Sequence, residues 1–573
     1  MRSHYASETA PLTAGIATRI APSSSLSGAL RHKYSLSTRA TRYAKYALAF
    51  ATLFVVGNLM VFRAVDSSNM RATTTTTGDA DTDRDLLLAA EGLTVAAAAN
   101  KASFPGAEDE IVDSIAKPKA YTSRLFSGYL SLANGGEAFY FLAESQSETS
   151  ESDPVLLWLN GGPGASSLAG CFTENGPLFV NDDGRSVRVN EHAWNQNAHL
   201  LCIESPVGVG FSYNASGVYV ADDVSQADDL YDALQQFFVK FPQLRANEFV
   251  ISGESYGGIY VPTTARAIVE GNLKLQDSDS DKKINLTKFV VGNGVNEFSG
   301  LSIMLYAYYH GILSTEEYQE VRSNCPNLKE YEPNSAFFDL DLDSQCGQTT
   351  MRIITKLFMS QINMYNIYGT CAGTPEEGMK ALVQALMTPQ NGLPHPIGNP
   401  MTMCLNSTQL DVYFNSEDVR DAFHTKSEID RWYGDALTTT STQLYAGIAG
   451  LDPAKLKHVH LLDYTGTLKQ RVTPIWKELL AHGLKGVIYH GDADMVCDFI
   501  GGLWAVESLK LQRVGKRKPW TVDLDGTQQT GGFVEEFKGL TYVTVKGAGH
   551  LVPMWKPVEA KRMLDLFVLE REG

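Results

Sequence analysis

The sequence predicts an α/β fold built on a mostly parallel central sheet. Short apolar runs rich in Val, Ile, Leu and aromatic residues recur along the chain, and amphipathic stretches lie between them. Runs that are mostly apolar rather than alternating are typical of strands buried on both faces of a parallel sheet. The predicted strands are Val155–Leu159, Leu200–Ile203, Phe249–Ser252, Phe289–Val291, Val487–Tyr489 and Tyr542–Val545.

Composition limits the class of protein. The chain has 573 residues, of which 44% are hydrophobic and 20% are charged. These values exclude a disordered chain and a multi-pass membrane protein. With 48 Lys plus Arg against 65 Asp plus Glu, the formal net charge is −17, which excludes the basic surface typical of nucleic-acid binding.

The cysteines indicate disulfides rather than a metal site. The seven cysteines have neither a CxxC motif nor Cys/His spacing suited to zinc, so we expect no metal and no cofactor. In an oxidising compartment up to three bridges can form, and an odd count leaves one thiol free unless it pairs between chains. The cysteines are Cys171, Cys202, Cys325, Cys346, Cys371, Cys404 and Cys497.

The N-terminal region predicts a membrane anchor. Tyr46–Phe62 is a 17-residue uncharged run, about 26 Å long as a helix and just enough to span a hydrocarbon core. Basic residues crowd residues 1–45, so the positive-inside rule predicts a cytosolic tail there. We expect a single-pass signal anchor, with a cleaved signal peptide as the alternative.

The remainder of the chain is then expected in the lumen or outside the cell, in the endomembrane system, a vacuole or lysosome, or at the cell surface. Residues 63–117 are interpreted as a flexible tether or pro-segment, and residues 118–573 as the catalytic domain. Three N-glycosylation sequons are consistent with a lumenal or extracellular position of this domain: Asn214, Asn285 and Asn406.

Two further segments complete the expected architecture. Between predicted strands, apolar residues at 3–4 spacing from Val224 to Phe238 predict a helix that Asp222 and Asp223 can cap. Residues 298–425 hold four of the seven cysteines and several aromatic clusters without clear strand–helix alternation. We interpret them as a large lid insertion over the sheet.

The sharpest motif is G-x-S-x-G at Gly253–Gly257. It directly follows a predicted strand and precedes a helical stretch at Ile259–Glu270. Glycines on both sides allow a tight turn that exposes the hydroxyl of Ser255 above the sheet, which is the nucleophile elbow of the α/β-hydrolase fold. The sequence therefore predicts this fold, with Ser255 as its nucleophile.

A serine nucleophile needs a base and an acid, and in this fold they follow it in the order acid, then histidine. Of the eight histidines after Ser255, His550 lies in a Gly-rich turn directly after a predicted strand, where open α/β sheets place their sites. Asp492 and Asp494 both follow an earlier strand. Either can be the acid on this reasoning.

An oxyanion hole needs two oriented N–H groups. The amide of Tyr256, which follows the nucleophile, is one candidate. The turn Asn160–Gly164 follows a predicted strand and can offer the amide of Gly162 as the other.

With these motifs, the chain resembles the serine carboxypeptidase family, the family of carboxypeptidase Y and cathepsin A. The resemblance covers residues 118–571, and its signatures occur in family order: Trp158–Gly164, Glu204–Tyr213, Gly253–Gly258, Gly491–Asp494 and Gly547–Pro553. It implies that Ser255 is the nucleophile, Asp494 the acid and His550 the base, and that Gly162 and Tyr256 form the oxyanion hole.

The resemblance also implies a site for the free C-terminal carboxylate of a peptide, formed by Trp158, Asn160, Glu174 and Glu254. Two carboxyls against a substrate carboxylate cannot all ionise cheaply, so at least one should hold a proton and donate it. The implied activity is hydrolysis of the C-terminal peptide bond through an acyl-enzyme, with an acidic pH optimum.

Two departures from the family pattern concern disulfides and specificity. Ala165 stands where the family usually has a cysteine bridged to the match of Cys404, and Cys171 is the candidate substitute. Leu551, with Cys497 near the acid, favours apolar C-terminal residues. The alternative functions are acyl transfer to an acceptor other than water, and a protective or binding role like that of cathepsin A.

Overall fold

The computed structural model describes residues 121–325, 344–371, 407–436, 462–468 and 471–571, together with scattered positions between 104 and 118 and between 373 and 404, and position 438. The predicted cytosolic tail, the predicted span Tyr46–Phe62, most of the predicted tether and Asn406 lie outside these residues. Within the part of the chain that is described, no helix combines the length and apolar character needed to cross a bilayer.

Among the described residues, the central sheet has eleven strands, and its middle is parallel. Along the sheet the order is β1-β2-β6-β3-β9-β10-β12-β15-β14-β13, with β7 paired to β2. The six strands from β6 to β15 run parallel, and antiparallel strands extend both edges. The strands, including two small separate pairs, are β1 Leu125–Ser131, β2 Gly136–Ala143, β3 Val155–Leu159, β4 Leu178–Val180, β5 Val187–Val189, β6 His199–Ile203, β7 Tyr213–Asn214, β8 Val220–Asp222, β9 Phe249–Glu254, β10 Leu286–Gly292, β11 Asp463–Thr465, β12 Lys485–Gly491, β13 Lys518–Leu524, β14 Thr527–Phe537 and β15 Leu540–Val545.

Helices cover both faces of the sheet. The α-helices of the described residues are α1 Ser167–Thr173, α2 Ser225–Lys240, α3 Gly257–Lys274, α4 Ser302–Tyr309, α5 Thr315–Asn324, α6 Gln345–Met359, α7 Thr408–Phe414, α8 Glu417–Ala422, α9 Thr473–Ala481, α10 Phe499–Ser508, α11 Val552–Trp555 and α12 Pro557–Met563. Short 3₁₀ turns lie at Glu108–Glu110, Ser150–Ser152, Trp194–Gln196, Pro242–Leu244 and Asp277–Lys282, and a π-turn at Leu564–Val568. This architecture confirms the predicted α/β-hydrolase fold class, because each predicted strand lies within one of the six parallel strands.

Alternate residues of the strands enter two core layers. In β3, Leu157 packs into the layer on one face, whereas Leu156 and Trp158 pack into the layer on the other. A third apolar cluster joins helices α4, α5 and α6 of the predicted insertion and includes Met495, which lies just after β12. The insertion is therefore held against the carboxyl edge of the sheet by its own core.

The first described residues pack against the folded domain, whereas the sequence analysis interpreted residues 63–117 as a flexible tether or pro-segment. Phe104 is 3% exposed and makes edge-to-face contacts with Phe126 and Phe241, at ring-centroid distances of 5.5 and 5.3 Å. Glu110 forms an ion pair with Lys240 at 2.7 Å. This part of the segment therefore belongs to the folded core.

We expect Phe104→Ala to lower the free energy of unfolding by about 3 kcal/mol, because it leaves a cavity between two aromatic rings. The measurement is the midpoint of denaturant unfolding. Tyr309→Ala is the control, since Tyr309 is 73% exposed and its loss should leave the midpoint unchanged. Equal midpoints for Phe104→Ala and the parent would contradict the packed position of this segment.

The disulfides are Cys171–Cys202, Cys325–Cys346 and Cys371–Cys404, and Cys497 is a buried free thiol. The expectation that Cys171 replaces the missing family cysteine as partner of Cys404 is wrong. Cys171 lies on α1 in the sheet core, where it faces Cys202 of β6, and both are fully buried. Cys404 instead lies beside Cys371, with 3.7 Å between their Cα atoms.

Candidate active site

Ser255 lies in a tight turn between β9 and α3. Its φ is +61°, a left-handed conformation that is strained for any residue with a Cβ atom. The flanking backbone is close: a Cβ atom on Gly253 would lie 2.6 Å from the carbonyl oxygen of Leu159, and one on Gly258 would lie 2.4 Å from that of Val295. The glycines therefore let the turn pack closely against the end of β3 and the loop after β10, and the turn presents Ser255 at the carboxyl edge of the sheet.

His550 and Asp494 are hydrogen-bonded to each other. The distance between His550 Nδ1 and Asp494 Oδ2 is 2.7 Å, and both side chains are buried. Asp492, the other acid left open by the sequence, accepts a hydrogen bond from the amide of Gly547 at 2.6 Å. Asp494 thus contacts the imidazole, whereas Asp492 stabilises the turn that carries His550.

The carboxylate of Asp494 is fixed by further donors. Its Oδ2 accepts from Asn293 Nδ2 at 2.7 Å and from the amide of Cys497 at 3.2 Å, and its Oδ1 accepts from the amide of Val496 at 2.9 Å. Asn293 is itself fixed, because its Oδ1 accepts from the amide of Gly491 at 3.0 Å. This carboxylate can therefore orient an imidazole and stabilise its charged form.

The opposite nitrogen of His550 is available for proton transfer. Nε2 is buried and forms no hydrogen bond with any described residue. The amide of His550 donates to the carbonyl oxygen of Tyr365 at 2.7 Å, and the two rings meet edge to face at 4.5 Å. The insertion, which carries Tyr365, therefore holds the histidine in place.

The turn Asn160–Gly164 lies directly against the residues that follow β9. A Cβ atom on Gly161 would lie 2.3 Å from the amide nitrogen of Tyr256 and 2.8 Å from the Cβ atom of Ser255. Gly162 has a φ of +104°, a conformation that glycine adopts without strain. The backbone amides of Gly162 and Tyr256 thus lie on two adjoining segments beside Ser255.

The side chain of Tyr256 is anchored by Asp223. Asp223 Oδ1 accepts from the hydroxyls of Tyr256 at 3.0 Å and Tyr464 at 2.8 Å. Of the two aspartates predicted to cap α2, only Asp222 does so. Its Oδ1 accepts from the amides of Val224 and Ser225 at 2.9 and 2.8 Å. Asp223 fixes the residue after the nucleophile instead.

Four buried polar side chains form a connected cluster below the Asn160 turn. Trp158 Nε1 donates to Asn160 Oδ1 at 2.8 Å, and Asn160 Nδ2 donates to Glu254 Oε1 at 3.0 Å and to Glu174 Oε1 at 3.3 Å. A Cβ atom on Gly170 would lie 2.4 Å from both Asn160 Oδ1 and Trp158 Nε1. Only glycine at this position of α1 leaves room for the cluster.

The two carboxyls of this cluster have pKa values above the ordinary range of a glutamate. Burial raises the pKa of Glu174 to about 7. Burial, and then the charge of Glu174, raises the pKa of Glu254 well above its ordinary value. Because each carboxyl accepts from the same Asn160 amide, the two lie close together and cannot both ionise cheaply. Below neutral pH the pair can therefore donate a hydrogen bond to an anion.

The remaining predicted site residues lie around this centre or on the surface. Cys497 is buried beside Asp494, and burial raises the pKa of its thiol, so it is uncharged. Leu551 is half-buried next to His550. Of the sequons, Asn285 is exposed and Asn214 is half-buried. No group of three His, Cys, Asp or Glu suited to a metal ion occurs among the described residues.

Three contributors were missed by the sequence analysis: Asn293, Tyr365 and Gly170. Asn293 directly follows β10 at the carboxyl edge of the sheet, so the positional rule that selected the other residues could have found it. Tyr365 and Gly170 carry no such signal, because their contacts depend on the packing of the insertion and of α1.

We expect Asn293→Gly to lower kcat roughly 10- to 100-fold with little change in KM, because Asp494 loses a charge-assisted hydrogen bond. Glycine keeps the positive φ of this position, +40°, without strain. The control is Asn195→Gly, which removes a buried asparagine that bonds Tyr121 and Glu144 instead. In steady-state kinetics, Asn195→Gly should keep the parent kcat. An Asn293→Gly variant that also keeps it would contradict the role of Asn293.

Comparison with known proteins identifies the family of this chain. A profile of the serine carboxypeptidase family matches residues 116–570. The mouse lysosomal protective protein is 32% identical over 492 residues, covering 82% of this chain and 95% of that protein. The rice serine carboxypeptidase-like 26 is 35% identical over 460 residues, covering 77% of this chain and 86% of that protein.

A solved structure shares the fold. Kex1(delta)p, a prohormone-processing carboxypeptidase from Saccharomyces cerevisiae, aligns with a TM-score of 0.60 at 21% identity, covering 82% of this chain and 95% of that one. With the family profile spanning most of the chain and relatives above 30% identity over most of their length, the chain belongs to the serine carboxypeptidase family of hydrolases.

Proposed function

We propose that this serine carboxypeptidase removes the last residue of a peptide through an acyl-enzyme on Ser255. The observation that carries the proposal is the pairing of two features at one edge of the sheet. One is the buried hydrogen bond between Asp494 and His550, and the other is the proton-holding pair Glu174 and Glu254. The first suits acyl transfer, and the second suits recognition of a terminal carboxylate.

Three residues carry the chemistry in this proposal: Ser255, His550 and Asp494. His550 Nε2 takes the proton of the Ser255 hydroxyl while the serine oxygen attacks the carbonyl carbon of the last peptide bond. The amides of Gly162 and Tyr256 stabilise the oxyanion, a contribution of about 3 kcal/mol per donor. His550 then protonates the departing amino group, the C–N bond breaks, and a water molecule activated by the same histidine hydrolyses the ester.

Recognition of the chain terminus is assigned to the Glu174–Glu254 pair. Asn160 Nδ2 already donates to both carboxyls, and Trp158 Nε1 fixes Asn160. A protonated carboxyl next to Asn160 donates to a carboxylate, whereas an ionised one repels it. We assign Leu551 and the uncharged thiol of Cys497 to the pocket for the C-terminal side chain, and their character suits apolar residues.

The proposal is tested with peptides that differ only at the C terminus. A peptide with a free carboxylate should lose one residue, its amidated counterpart should remain uncut, and leucine or phenylalanine should leave faster than lysine or aspartate. Equal cleavage of the free and the amidated peptide would contradict carboxylate recognition. Transfer of an acyl ester to an added acceptor, without peptide hydrolysis, would favour the acyltransferase alternative.

We also propose that the enzyme is a single-pass membrane protein with a lumenal or extracellular catalytic domain. The uncharged run Tyr46–Phe62, the exposed sequon Asn285 and three disulfides all agree with this location. A carbonate wash of membranes should leave the full-length chain in the pellet, and glycosidase digestion should reduce its apparent mass. Release of the full-length chain would rule out the span.

A further inference from the structure

Tyr489 lies in the same row of the sheet as one carboxyl of the Glu174–Glu254 pair. Across three adjacent parallel strands, Glu254 of β9 pairs with Gly292 of β10, and Gly292 pairs with Tyr489 of β12. Residues in one row project to the same face, because side chains alternate along each strand. Tyr489 and Glu254 therefore project from one face with only a glycine between them.

The ring of Tyr489 occupies the space above that glycine. A Cβ atom on Gly292 would lie 2.1 Å from Tyr489 Cζ and 2.3 Å from its hydroxyl oxygen. Such a short distance means that the end of the ring lies over Gly292, so the hydroxyl is directed across the row toward Glu254. Gly292 thus leaves the space over which the tyrosine hydroxyl faces the side of the pair.

This hydroxyl has an unmet hydrogen-bonding requirement. It is buried and has no hydrogen-bond partner within the described part of the chain, and the same holds for Glu174 Oε2 and Glu254 Oε2. Buried polar groups are nearly always paired, directly or through water. Burial, then the charges of Glu254 and Glu174, raise the pKa of Tyr489, so its hydroxyl stays protonated and can only act as a donor toward a carboxylate.

We propose that Tyr489 is a positioning residue of the Glu174–Glu254 pair: its hydroxyl is the hydrogen-bond donor that stabilises the pair once it ionises, and it sets the pH at which peptide affinity is lost. This inference rests on the proposed function of the pair in binding the terminal carboxylate.

Other titratable groups act on the pair from the surrounding elements. Asp494 raises the pKa of Glu254, and His550 lowers that of Glu174. Tyr365 and Cys497 are also within electrostatic range of Glu254. Asp494 and His550 belong to the proposed catalytic centre, and Tyr365 contacts His550. Unlike these groups, the Tyr489 side chain can be changed without altering the contacts of Asp494, His550 or Tyr365.

The direction of the effect follows from the charge. A donor hydrogen-bonded to a carboxylate favours the ionised form and lowers its pKa. Removing the donor should therefore let the pair keep its proton to a higher pH. The rise of KM with pH should move upward by about one pH unit, the size expected for a hydrogen bond to a charged group.

The test is Tyr489→Phe, which keeps the ring over Gly292 and removes only the hydroxyl. KM and kcat are measured against pH for a peptide with a free C terminus. The matched control is Tyr542→Phe, a buried tyrosine of β15 whose hydroxyl donates to the carbonyl oxygen of Phe499 at 2.7 Å. We expect an upward shift of the KM midpoint for Tyr489→Phe, an unchanged kcat at acidic pH, and the parent midpoint for Tyr542→Phe.

A midpoint that stays in place or moves downward in Tyr489→Phe would overturn the inference. If the parent itself shows no dependence of KM on pH, the carboxylate-binding pair of the proposed function fails instead, so the two failures are distinguishable. Gly292→Ala is the second variant, because its methyl group would displace the ring, and it should shift the midpoint in the same direction. The same shift can be measured by calorimetry of peptide binding in a Ser255→Ala background. Titrations in two buffers of different ionisation enthalpy give the number of protons taken up on binding, and its dependence on pH should shift with the KM midpoint.

Discussion

Replacing Ser255 with alanine should abolish peptide hydrolysis, with kcat reduced by about 10⁶-fold, as found when the nucleophile of a serine–histidine–aspartate site is removed. The oxyanion hole and the peptide-binding contacts remain, so a small residual rate above the uncatalysed reaction is expected. Peptide binding should persist, because Trp158, Asn160 and the two glutamates are unchanged. Steady-state kinetics and calorimetric binding measure the two effects separately.

The strained turn at Ser255 adds a second readout. Alanine retains the unfavourable φ of +61°, whereas glycine adopts it freely. Ser255→Gly should therefore be as inactive as Ser255→Ala but unfold at a higher temperature. Ser252→Ala is the control, because Ser252 lies in β9, the strand that leads into this turn, and its hydroxyl donates to the carbonyl oxygen of Leu157. A fluorophosphonate should label the parent and this control only; labelling of Ser255→Ala would refute the assignment.

The sequence predicted the centre of the sheet better than its edges, and burial explains the difference. Each of the six parallel strands contains a buried and mostly apolar run of at least three residues, which can be recognised directly. Strand β13 (Lys518–Leu524) is mostly exposed, with only Trp520 and Val522 buried, and β14 begins with four exposed polar residues. Such edge strands lack the apolar run, and their place depends on pairing with β15.

The insertion shows a similar limit. Its lack of strand–helix alternation was noted correctly, but α6 (Gln345–Met359) carries a buried stripe, including Ile353, Ile354, Leu357 and Phe358, at helical spacing. That stripe could have predicted the helix. What no local pattern could predict is that Tyr365, just beyond this helix, contacts His550, because the contact joins two loops distant in sequence.

The candidate site was predictable wherever a residue follows a parallel strand. Ser255, Asp494 and His550 follow β9, β12 and β15, and the same edge brings them into one region. The positional rule left Asp492 and Asp494 open, since both lie on one loop, and the family resemblance implied Asp494. The structure shows that Asp494 contacts His550 and Asp492 does not accept from it. Asn293, in contrast, satisfied the positional rule and was overlooked because an asparagine is not itself a proton-transfer group.

The affinity for peptides is expected to fall as the pH rises through neutrality, because of the Glu174–Glu254 pair. Burial raises the pKa of Glu174 to about 7 and that of Glu254 well above its ordinary value, so both carboxyls are protonated in mild acid. In that form one of them can donate to the terminal carboxylate. Above the pKa values the pair is ionised and repels it, so KM should rise up to tenfold per pH unit for each proton lost.

Glu254→Gln should flatten this rise, because the amide nitrogen remains a neutral donor at every pH. KM is measured between about pH 5 and pH 8, on both sides of the expected transition. The matched control is Glu204→Gln, since burial also raises the pKa of Glu204 to about 7 while its partners are Ser166, Phe211 and Trp432. It should keep the parent slope. A parent KM that is constant over this range, or a Glu254→Gln variant as steep as the parent, would show that peptide binding does not depend on a proton held by the pair.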